Sequence, residues 1–375
     1  MSTRKVPKVL FGVVDLCRIT GGITMLARSA FRVLNEMARK GEISLQVLVL
    51  NEAGPDSGDS LMKDIRTADI MWCNGSKTRF AAAIALTMPD LAVFDHAGPA
   101  RAAKVLPGII RPPYCVFVHG VEIGEQVRQD YIDTLKGAVL LIANSHYTRK
   151  KAESLGTDLP PVTVCWPGIE KSSDIRSETE DPIVSEIGEH ALLIVGRLAG
   201  CQQHKGHDHI LECIPLILRR VPDAQLVIAG DGDDMERLRQ KVTALGVEKQ
   251  VLFTGWVANE VLDGLYEKCA VFVMPSKGDG FGFVYLEAMS HRKPCVGLSN
   301  GSATEIIEHG VTGILVDRER EEEMAAAISG LLEDTGACHE MGNAGFLRLN
   351  RMFLHKHYAA RFHDVLDKAL SKWKA

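Results

Sequence analysis

The sequence predicts an α/β protein of two doubly wound domains, each a parallel β-sheet with helices on both faces. Apolar runs of strand length alternate with amphipathic runs of helix length along the chain, the pattern of parallel strands joined by crossover helices. A polar and acidic stretch at residues 168–190 interrupts this alternation once. The length of 375 residues suffices for two hydrophobic cores. We therefore expect two domains that face each other across a ligand cleft.

The first predicted domain comprises residues 1–170 and contains seven candidate strands. Each is a short aliphatic or β-branched run that is followed by a turn and a helical pattern. The predicted strands cover residues 9–14, 45–50, 70–73, 92–94, 115–119, 139–143 and 162–165.

The second predicted domain comprises residues 171–345 and contains six candidate strands. They cover residues 192–195, 225–229, 251–253, 271–274, 295–298 and 313–316. The run at residues 178–182 is acidic, ends in proline and is typical of a linker. Residues 341–373 are helical by pattern, and we expect a C-terminal helix, within residues 346–375, that returns to the first domain.

The composition excludes several classes of protein. The apolar run near the N-terminus is too short for a signal peptide, and no run approaches the roughly 18 apolar residues that span a bilayer. The nine cysteines are scattered without metal-ligand spacing. The net charge of −5 includes no strongly basic region that would bind nucleic acid. We expect a cytoplasmic protein with no zinc site and no nucleic-acid partner.

The most informative stretch is residues 276–287, where a glycine-rich turn opens a helix between two carboxylates. Its three glycines let the backbone approach a ligand closely, and the N–H groups at the helix start favour a diphosphate. Asp279 and Glu287 can accept hydrogen bonds from hydroxyl groups. The alternative is a plain turn beside an exposed glutamate. The combination predicts a site for a sugar nucleotide.

Two further candidates follow strands of the first domain. Gly21 and Gly22 lie in the turn after the first strand, where backbone N–H groups can meet a phosphate or a sugar ring. His119 ends the fifth predicted strand, where an imidazole can accept a hydrogen bond from a sugar hydroxyl. A tight turn without a ligand and a loop histidine without a role are the alternatives.

Two cations follow the first strand of the second domain. Arg197 and Lys205 lie close to this turn in sequence and are suited to neutralising a leaving diphosphate. We expect cationic side chains and helix ends, rather than a metal ion, in this role. The alternative is that both are surface charges.

A glycine pair at Gly230 and Gly232 also follows a strand and superficially resembles a dinucleotide-binding turn. Three aspartates at positions 231, 233 and 234 would repel a pyrophosphate there. We interpret these residues as a structural turn or as a wall near the nucleotide base.

In this combination and order, the motifs resemble those of the family 4 glycosyltransferases, retaining enzymes with the GT-B fold. The resemblance covers nearly the whole chain and is strongest over residues 192–317. In the first half it rests on Gly21-Gly22, Val118-His119-Gly120, Ala143-Asn144-Ser145 and Pro167-Gly168-Ile169. In the second half it rests on Gly196-Arg197-Leu198, Lys205-Gly206-His207-Asp208, Leu226-Val227-Ile228-Ala229-Gly230-Asp231-Gly232, Phe253-Thr254-Gly255-Trp256, the block 275–287 and Asn300-Gly301-Ser302-Ala303-Thr304-Glu305-Ile306-Ile307.

The resemblance implies a role for each matching residue. Gly21 and Gly22 would lie near the donor phosphates, and Arg197 and Lys205 would pair with the diphosphate. His119 would lie beside the reacting carbon. The first domain would hold the acceptor, and the second would bind the nucleotide sugar.

The same resemblance assigns the residues of the glycine-rich block. Glu287 would hold the nucleotide ribose, and Asp279 would contact the donor sugar. Backbone N–H groups would complete the diphosphate cradle at Phe281, Gly282, Phe283 and Val284. Asp279 departs from the family, whose carboxylate at this position is usually Glu, and the loop 199–204 is longer than we expect. The shorter reach of Asp279 and this loop bear on the choice of donor.

We therefore expect a retaining, metal-independent hexosyltransferase that uses a nucleotide-diphosphate sugar and needs no further cofactor. The acceptor would be a glycan, a lipid-linked molecule or a small molecule, with bacterial envelope or exopolysaccharide synthesis as the leading hypothesis. Peripheral contact with the inner membrane face through residues 101–111 is a further hypothesis. The alternatives are a related glycan synthase or phosphorylase, and a sugar-nucleotide-binding or scaffold protein without turnover.

Overall fold

The computed structural model describes residues 6–18, 21–55, 61–65, 68–120, 122–124, 127–156, 158–170 and 181–373. Most of the predicted linker run, residues 178–180, lies outside these ranges. The chain divides into two compact units: unit 1 is Met1–Gly168 with His355–Ala375, and unit 2 is Ile169–Leu354. The divisions thus follow residues 168 and 354, whereas the sequence predicted boundaries after residues 170 and 345.

Unit 1 is built on a seven-stranded parallel sheet. Its strands are β1 (Lys8–Val13), β2 (Ser44–Val49), β3 (Asp69–Trp72), β4 (Leu91–Phe94), β5 (Tyr114–Val118), β6 (Leu140–Ala143) and β7 (Val162–Val164). Their order in the sheet is β3-β2-β1-β4-β5-β6-β7. The helices between them are α1 (Gly22–Arg39), α2 (Met62–Ile65), α3 (Lys77–Thr87), α4 (Ala97–Lys104), α5 (Gln129–Lys136) and α6 (His146–Glu153).

Unit 2 repeats this architecture with a six-stranded parallel sheet. Its strands are β8 (Ala191–Val195), β9 (Gln225–Ala229), β10 (Val251–Gly255), β11 (Val271–Val273), β12 (Cys295–Leu298) and β13 (Gly313–Val316). Their order is β10-β9-β8-β11-β12-β13. The α-helices are α7 (Pro182–Ser185), α8 (His207–Leu218), α9 (Met235–Leu245), α10 (Asn259–Lys268), α11 (Phe283–Ser290), α12 (Ala303–Ile306), α13 (Glu321–Glu333) and α14 (Thr335–Met352), and a 3₁₀ helix covers Gly200–Lys205.

The last helix of the chain, α15 (His355–Trp373), belongs to unit 1 and packs against α1. The ring of Phe362 lies 5.4 Å from that of Phe117 on β5 and stacks on Tyr358 at 5.6 Å. Arg361 donates a hydrogen bond to the Trp166 carbonyl at 3.0 Å. The side chains of Phe117, Tyr358 and Phe362 are buried in the core of unit 1.

All thirteen predicted strands are present, which confirms the prediction of two parallel α/β domains. Several strands begin or end one or two residues from the predicted bound. In unit 1, β1 lies between β2 and β4, and in unit 2, β8 lies between β9 and β11. The crossover connections diverge beside these first strands, which opens a crevice at the carboxyl edge of each sheet. Within the described residues, no helix combines the length and apolarity needed to cross a bilayer.

Candidate functional site

In unit 2, the turns that follow β8 and β9 are packed directly against each other. A Cβ atom at Gly230, where φ is +145°, would lie 1.9 Å from the Gly196 carbonyl oxygen. A Cβ atom at Gly232, where φ is +158°, would lie 2.0 Å from the Leu198 carbonyl oxygen. Only glycine allows this approach. Gly230 and Gly232, which resemble a dinucleotide-binding turn, are therefore required by the close packing of the β9 turn against the β8 turn.

The predicted cations both lie at the carboxyl end of β8. Arg197 is exposed two residues after the strand, and Lys205 ends the 3₁₀ helix and is partly buried. The Lys205 side chain folds back over the turn, since a Cβ atom at Gly196 would lie 3.2 Å from Lys205 Nζ. Gly206 follows with φ of +92°, and a Cβ atom there would lie 2.4 Å from the Pro275 carbonyl oxygen. The structure thus places the Lys205 ammonium beside the backbone of the β8 turn.

The glycine-rich block is tied to the same 3₁₀ helix by His204. The Lys277 N–H donates to the His204 carbonyl at 2.9 Å, and His204 Nε2 lies 3.9 Å from Asp279 Oδ1. Ser302 Oγ donates to the Asp279 carbonyl at 2.8 Å and so fixes the other side of the turn. His204 did not emerge as a candidate from the sequence, although its place directly before Lys205 was a signal.

The start of α11 is shaped by the last glycine of the block. Gly282 is the N-cap residue with φ of +104°, a conformation that favours glycine. The Phe281 side chain is buried, with its ring 5.8 Å from that of Phe283 and 6.1 Å from that of Phe353. Phe281 can therefore contribute only backbone groups to a ligand. Phe281 precedes the N-cap residue, whereas Phe283 and Val284 lie in the first turn of the helix, where N–H groups lack an intrahelical acceptor.

Glu287 is partly buried on α11 and receives a hydrogen bond from α10. The Tyr266 hydroxyl donates to Glu287 Oε2 at 2.8 Å. Tyr266 is 1% exposed and stacks on His291, with ring centroids 5.5 Å apart, and His291 Nε2 lies 3.4 Å from Asp263 Oδ1. Burial raises the pKa of Glu287, while the Tyr266 hydrogen bond acts in the opposite direction. No sequence motif indicated Tyr266, because its contact depends on the packing of α10 against α11.

In unit 1, His119 is a buried residue at the carboxyl end of β5. Its Nε2 lies 2.6 Å from the Asp95 carbonyl oxygen, so Nε2 carries the hydrogen and Nδ1 is the acceptor when the ring is neutral. The backbone N–H of His119 donates to Glu122 Oε1 at 2.7 Å, and the ring stacks on Phe117. The histidine is therefore held in one orientation from three sides.

The glycine pair of unit 1 follows a loop that a buried carboxylate organises. Gly21 is the N-cap residue of α1 with φ of 151° and ψ of −168°, a region that is essentially specific to glycine. Glu52 accepts hydrogen bonds from consecutive backbone N–H groups at residues 16–18, at 2.7–3.0 Å. Arg28 donates to the Leu16 and Cys17 carbonyls at 3.2 and 3.1 Å. Glu52 and Arg28 lie outside any motif, and the sequence did not reveal this role.

The structure therefore forms two separate groups of candidate residues. In unit 2, the carboxyl edge around β8 and β11 brings together Arg197, Lys205, Asp279, Glu287 and the first turn of α11. In unit 1, Gly21 and Gly22 follow β1, and His119 follows β5. Among the described residues, no group of three His, Cys, Asp or Glu side chains is arranged to hold a metal ion.

Comparison with known proteins identifies relatives of this chain. Residues 189–334 match the family model "Glycosyl transferases group 1". An uncharacterized glycosyltransferase of Methanocaldococcus jannaschii is 32% identical over 246 residues, which are 61% of this chain and 62% of that protein. A GDP-mannose-dependent alpha-(1-6)-phosphatidylinositol monomannoside mannosyltransferase of Mycobacterium tuberculosis is 29% identical over 66% of this chain and 68% of its own. The chain thus matches about two thirds of the length of these relatives.

The fold is also that of solved structures. The Anabaena protein HepE in complex with UDP and glucose matches 96% of this chain and 100% of its own with a TM-score of 0.72 and 21% identity. At this identity, the match establishes the fold and not the ligand. The predicted GT-B fold is confirmed, and residues 189–334 are similar to the family Glycosyl transferases group 1.

Proposed function

We propose that this protein transfers a sugar from a nucleoside diphosphate sugar to an acceptor hydroxyl, with retention of the anomeric configuration and without a metal ion. One observation carries the proposal. In unit 2, Lys205 folds over the Gly196 turn, and the glycine-rich block ends at the first turn of α11. A cationic side chain and free backbone N–H groups are therefore arranged at one sheet edge to receive a diphosphate.

The charge of the departing diphosphate would be neutralised by Lys205, Arg197 and the N-terminus of α11. Negative charge grows on this group as the glycosidic bond breaks, so fixed positive charge there lowers the barrier. The role of the cations supports the metal-independent form of the reaction.

Recognition of the donor would rest on the two carboxylates. Glu287 would accept hydrogen bonds from the ribose hydroxyls, with one of its oxygens already oriented by Tyr266. Asp279 would accept from a sugar hydroxyl, and His204, 3.9 Å away, would hold its carboxylate in place. Asp279 is one methylene shorter than Glu, which favours a donor whose hydroxyl comes closer to the backbone.

Retention requires the acceptor to attack on the face from which the diphosphate leaves. The bond from the acceptor oxygen to the anomeric carbon forms as the bond from that carbon to the phosphate oxygen breaks. The acceptor proton passes to the departing phosphate oxygen, so no protein base is needed. His119 would lie beside the reacting carbon, where its Nδ1, the ring nitrogen that does not contact Asp95, would meet a hydroxyl.

The biological context is proposed from the relatives. The mycobacterial relative is named for GDP-mannose and a phosphatidylinositol mannoside, and the HepE structure contains UDP and glucose. We assign this protein to the cytoplasmic assembly of a bacterial envelope or exopolysaccharide glycan, at the inner face of the membrane, with GDP and UDP sugars as the first donors to test.

The first test is the thermal shift of the purified protein with UDP, GDP and ADP and their common sugar conjugates, with magnesium or with EDTA. A ligand that binds only the folded state raises the Tm. We expect a shift confined to one nucleotide and indifferent to EDTA. Turnover with that donor is then followed by NMR, which reports the anomeric configuration of the product. An inverted product, or a shift that EDTA abolishes, would contradict the proposed mechanism.

A second candidate function is sugar-nucleotide binding without turnover, which the substitution at Asp279 favours. Such a protein would bind the donor and release neither sugar nor nucleotide. The variant Asp279→Glu separates the two, because restored turnover only in this variant would identify the natural protein as a binder.

A further inference from the structure

Unit 1 contains a groove of about 630 Å³ at its crevice. One end is formed by Val14, Leu50 and His96, which follow the carboxyl ends of β1, β2 and β4. The groove then follows α4 and reaches Val105, directly after that helix. Eight residues of α-helix span about 12 Å. The groove therefore leads from the carboxyl edge of the sheet, where ligands bind in such folds, to the opposite edge.

The walls of this groove are largely apolar. Its lining includes Phe80 and Ala81 on α3, Pro99 and Ala102 on α4, and Tyr131 on α5. A free sugar is recognised by convergent polar groups, whereas these side chains favour a ligand with an apolar portion.

The charged groups along the groove have a basic excess. Lys77 is exposed at the first residue of α3, and Lys104 is half-buried near the end of α4. Arg101 is paired with Asp130 at 2.6 Å, and its guanidinium lies over the Tyr131 ring. Asp133 is the remaining acid of the lining. The two lysines therefore outweigh the one acid that Arg101 does not neutralise, which favours an anionic ligand.

Exposed apolar side chains cluster where the groove ends. Val105 is 74% exposed and Ile109 95%, both between α4 and β5. Leu86 is 82% exposed and Met88 69%, at the end of α3 where the chain turns into β4. Since β4 and β5 are adjacent parallel strands, both loops lie at the amino edge of the sheet. Apolar residues next to Lys104 at one edge have the chemistry of a lipid-facing surface.

We propose that this groove binds an anionic lipid, with the apolar chain along α4 toward Val105 and the polar head at the carboxyl edge near Lys77. Its role as the acceptor of the sugar rests on the proposed function, whereas binding itself does not. The groove thus narrows the acceptor class to lipid-linked anions, and the Val105–Ile109 edge is the side from which a membrane would supply them.

Binding is tested on the full chain with dodecyl phosphate below its micelle concentration, by calorimetry. The variant Ala81→Trp fills the groove from α3, while Ala82→Trp places the same side chain on the neighbouring exposed position outside it. We expect Ala81→Trp to weaken binding about ten-fold or more and Ala82→Trp to leave it unchanged. Equal behaviour of the two variants, or no binding to the natural protein, would overturn the proposal.

The contribution of charge is tested with Lys77→Ala against Lys150→Ala, an exposed lysine of α6 that does not line the groove. We expect weaker binding of dodecyl phosphate only in the first. Inorganic phosphate and dodecyl maltoside serve as probes of each half of the ligand, and either one binding as tightly as dodecyl phosphate would contradict an amphiphilic anion.

A membrane source is tested by sedimentation with phosphatidylcholine vesicles with and without phosphatidic acid. We expect Ile109→Ser to reduce vesicle binding and to leave dodecyl phosphate binding intact; unchanged vesicle binding would remove the lipid-facing edge from the proposal. Nucleotide thermal shifts on the same samples separate the two proposals. Binding of dodecyl phosphate without any nucleotide thermal shift would contradict the proposed sugar transfer and support lipid binding in the groove. A nucleotide thermal shift without dodecyl phosphate binding would support the sugar transfer and contradict lipid binding in the groove.

Discussion

Lys205 is the residue whose substitution tests the diphosphate site most directly. The variant Lys205→Ala removes a cation that lies over the Gly196 turn, and we expect turnover to fall by about a hundred-fold or more, because charge develops there in the transition state. Arg197→Ala should act in the same direction. Lys249→Ala, an exposed lysine of unit 2 before β10, is the control. Natural turnover in both Lys205→Ala and Arg197→Ala would remove this role.

Tyr266 is predicted to position Glu287 through its hydroxyl. The variant Tyr266→Phe keeps the ring and removes the hydrogen bond, and we expect nucleoside diphosphate affinity to fall about three- to ten-fold by calorimetry. Tyr114→Phe removes a similar buried bond in unit 1, to the Thr134 carbonyl, and should leave this affinity unchanged.

The pH dependence gives Tyr266→Phe a second readout. The Tyr266 hydrogen bond lowers the pKa of Glu287, so its loss raises that pKa further. As pH falls, the variant should therefore lose nucleotide affinity at a higher pH than the natural protein. Parallel profiles would show that Tyr266 has only a packing role.

At the scale of elements, α8 and α9 are joined by an ionic network beside the β9 turn. Arg237 donates to both oxygens of Asp208, at 2.7 and 2.8 Å, and to both oxygens of Asp234, at 2.7 and 2.6 Å. Lys241 adds a contact to Asp208 at 2.9 Å. The Arg237 hydrogen bonds are the first cause that holds the pKa of each aspartate below its ordinary value. The network fixes the distance between the two helices.

We expect Arg237→Gln to destabilise unit 2 by about 1–2 kcal/mol, after allowance for solvent screening at the partly exposed guanidinium. Lowered aspartate pKa values stabilise the fold above the ordinary pKa of about 3.9, and this contribution is lost as pH falls through the lower native values. The difference between natural protein and variant in urea unfolding should therefore shrink below about pH 4. Arg219→Gln, at the exposed end of α8, is the control; a difference that grows toward acid would contradict the assignment.

At the scale of the whole molecule, the packing of α15 against the core of unit 1 should contribute to the stability of that unit. Phe362→Ala removes a buried ring that contacts Phe117 and Tyr358, and we expect a loss of about 3–5 kcal/mol. Hydrogen exchange should rise across unit 1, including β1 and β5, although these strands lie more than 200 residues away in sequence. Leu347→Ala, at a residue of α14 that is 67% exposed, is the control. Exchange raised only within α15 would show that this helix is not part of the core.

Many residues of the candidate site could be proposed from the sequence because each lies in a short local motif. Asp279 and Glu287 lie on either side of one turn, and Arg197 and Lys205 lie on either side of one loop. A glycine in such a turn indicates by itself a backbone conformation with positive φ. His204 and Tyr266 could not be predicted in this way, because the first acts through a contact between two loops and the second through the packing of α10 on α11. The requirement for glycine at position 230 also could not be predicted, because it arises from contact with the β8 turn at Gly196.

The sequence by itself determined the strands, their parallel arrangement and the resemblance to a glycosyltransferase family, since the spacing of apolar runs and of short motifs follows from local chain geometry. The tertiary structure decided which distant groups meet. Only the folded chain places the buried Glu52 under the loop 16–18, joins α15 to the core of unit 1 and forms the groove along α4. Each of these depends on contacts between residues far apart in the chain, and such contacts leave no periodic signal in the sequence.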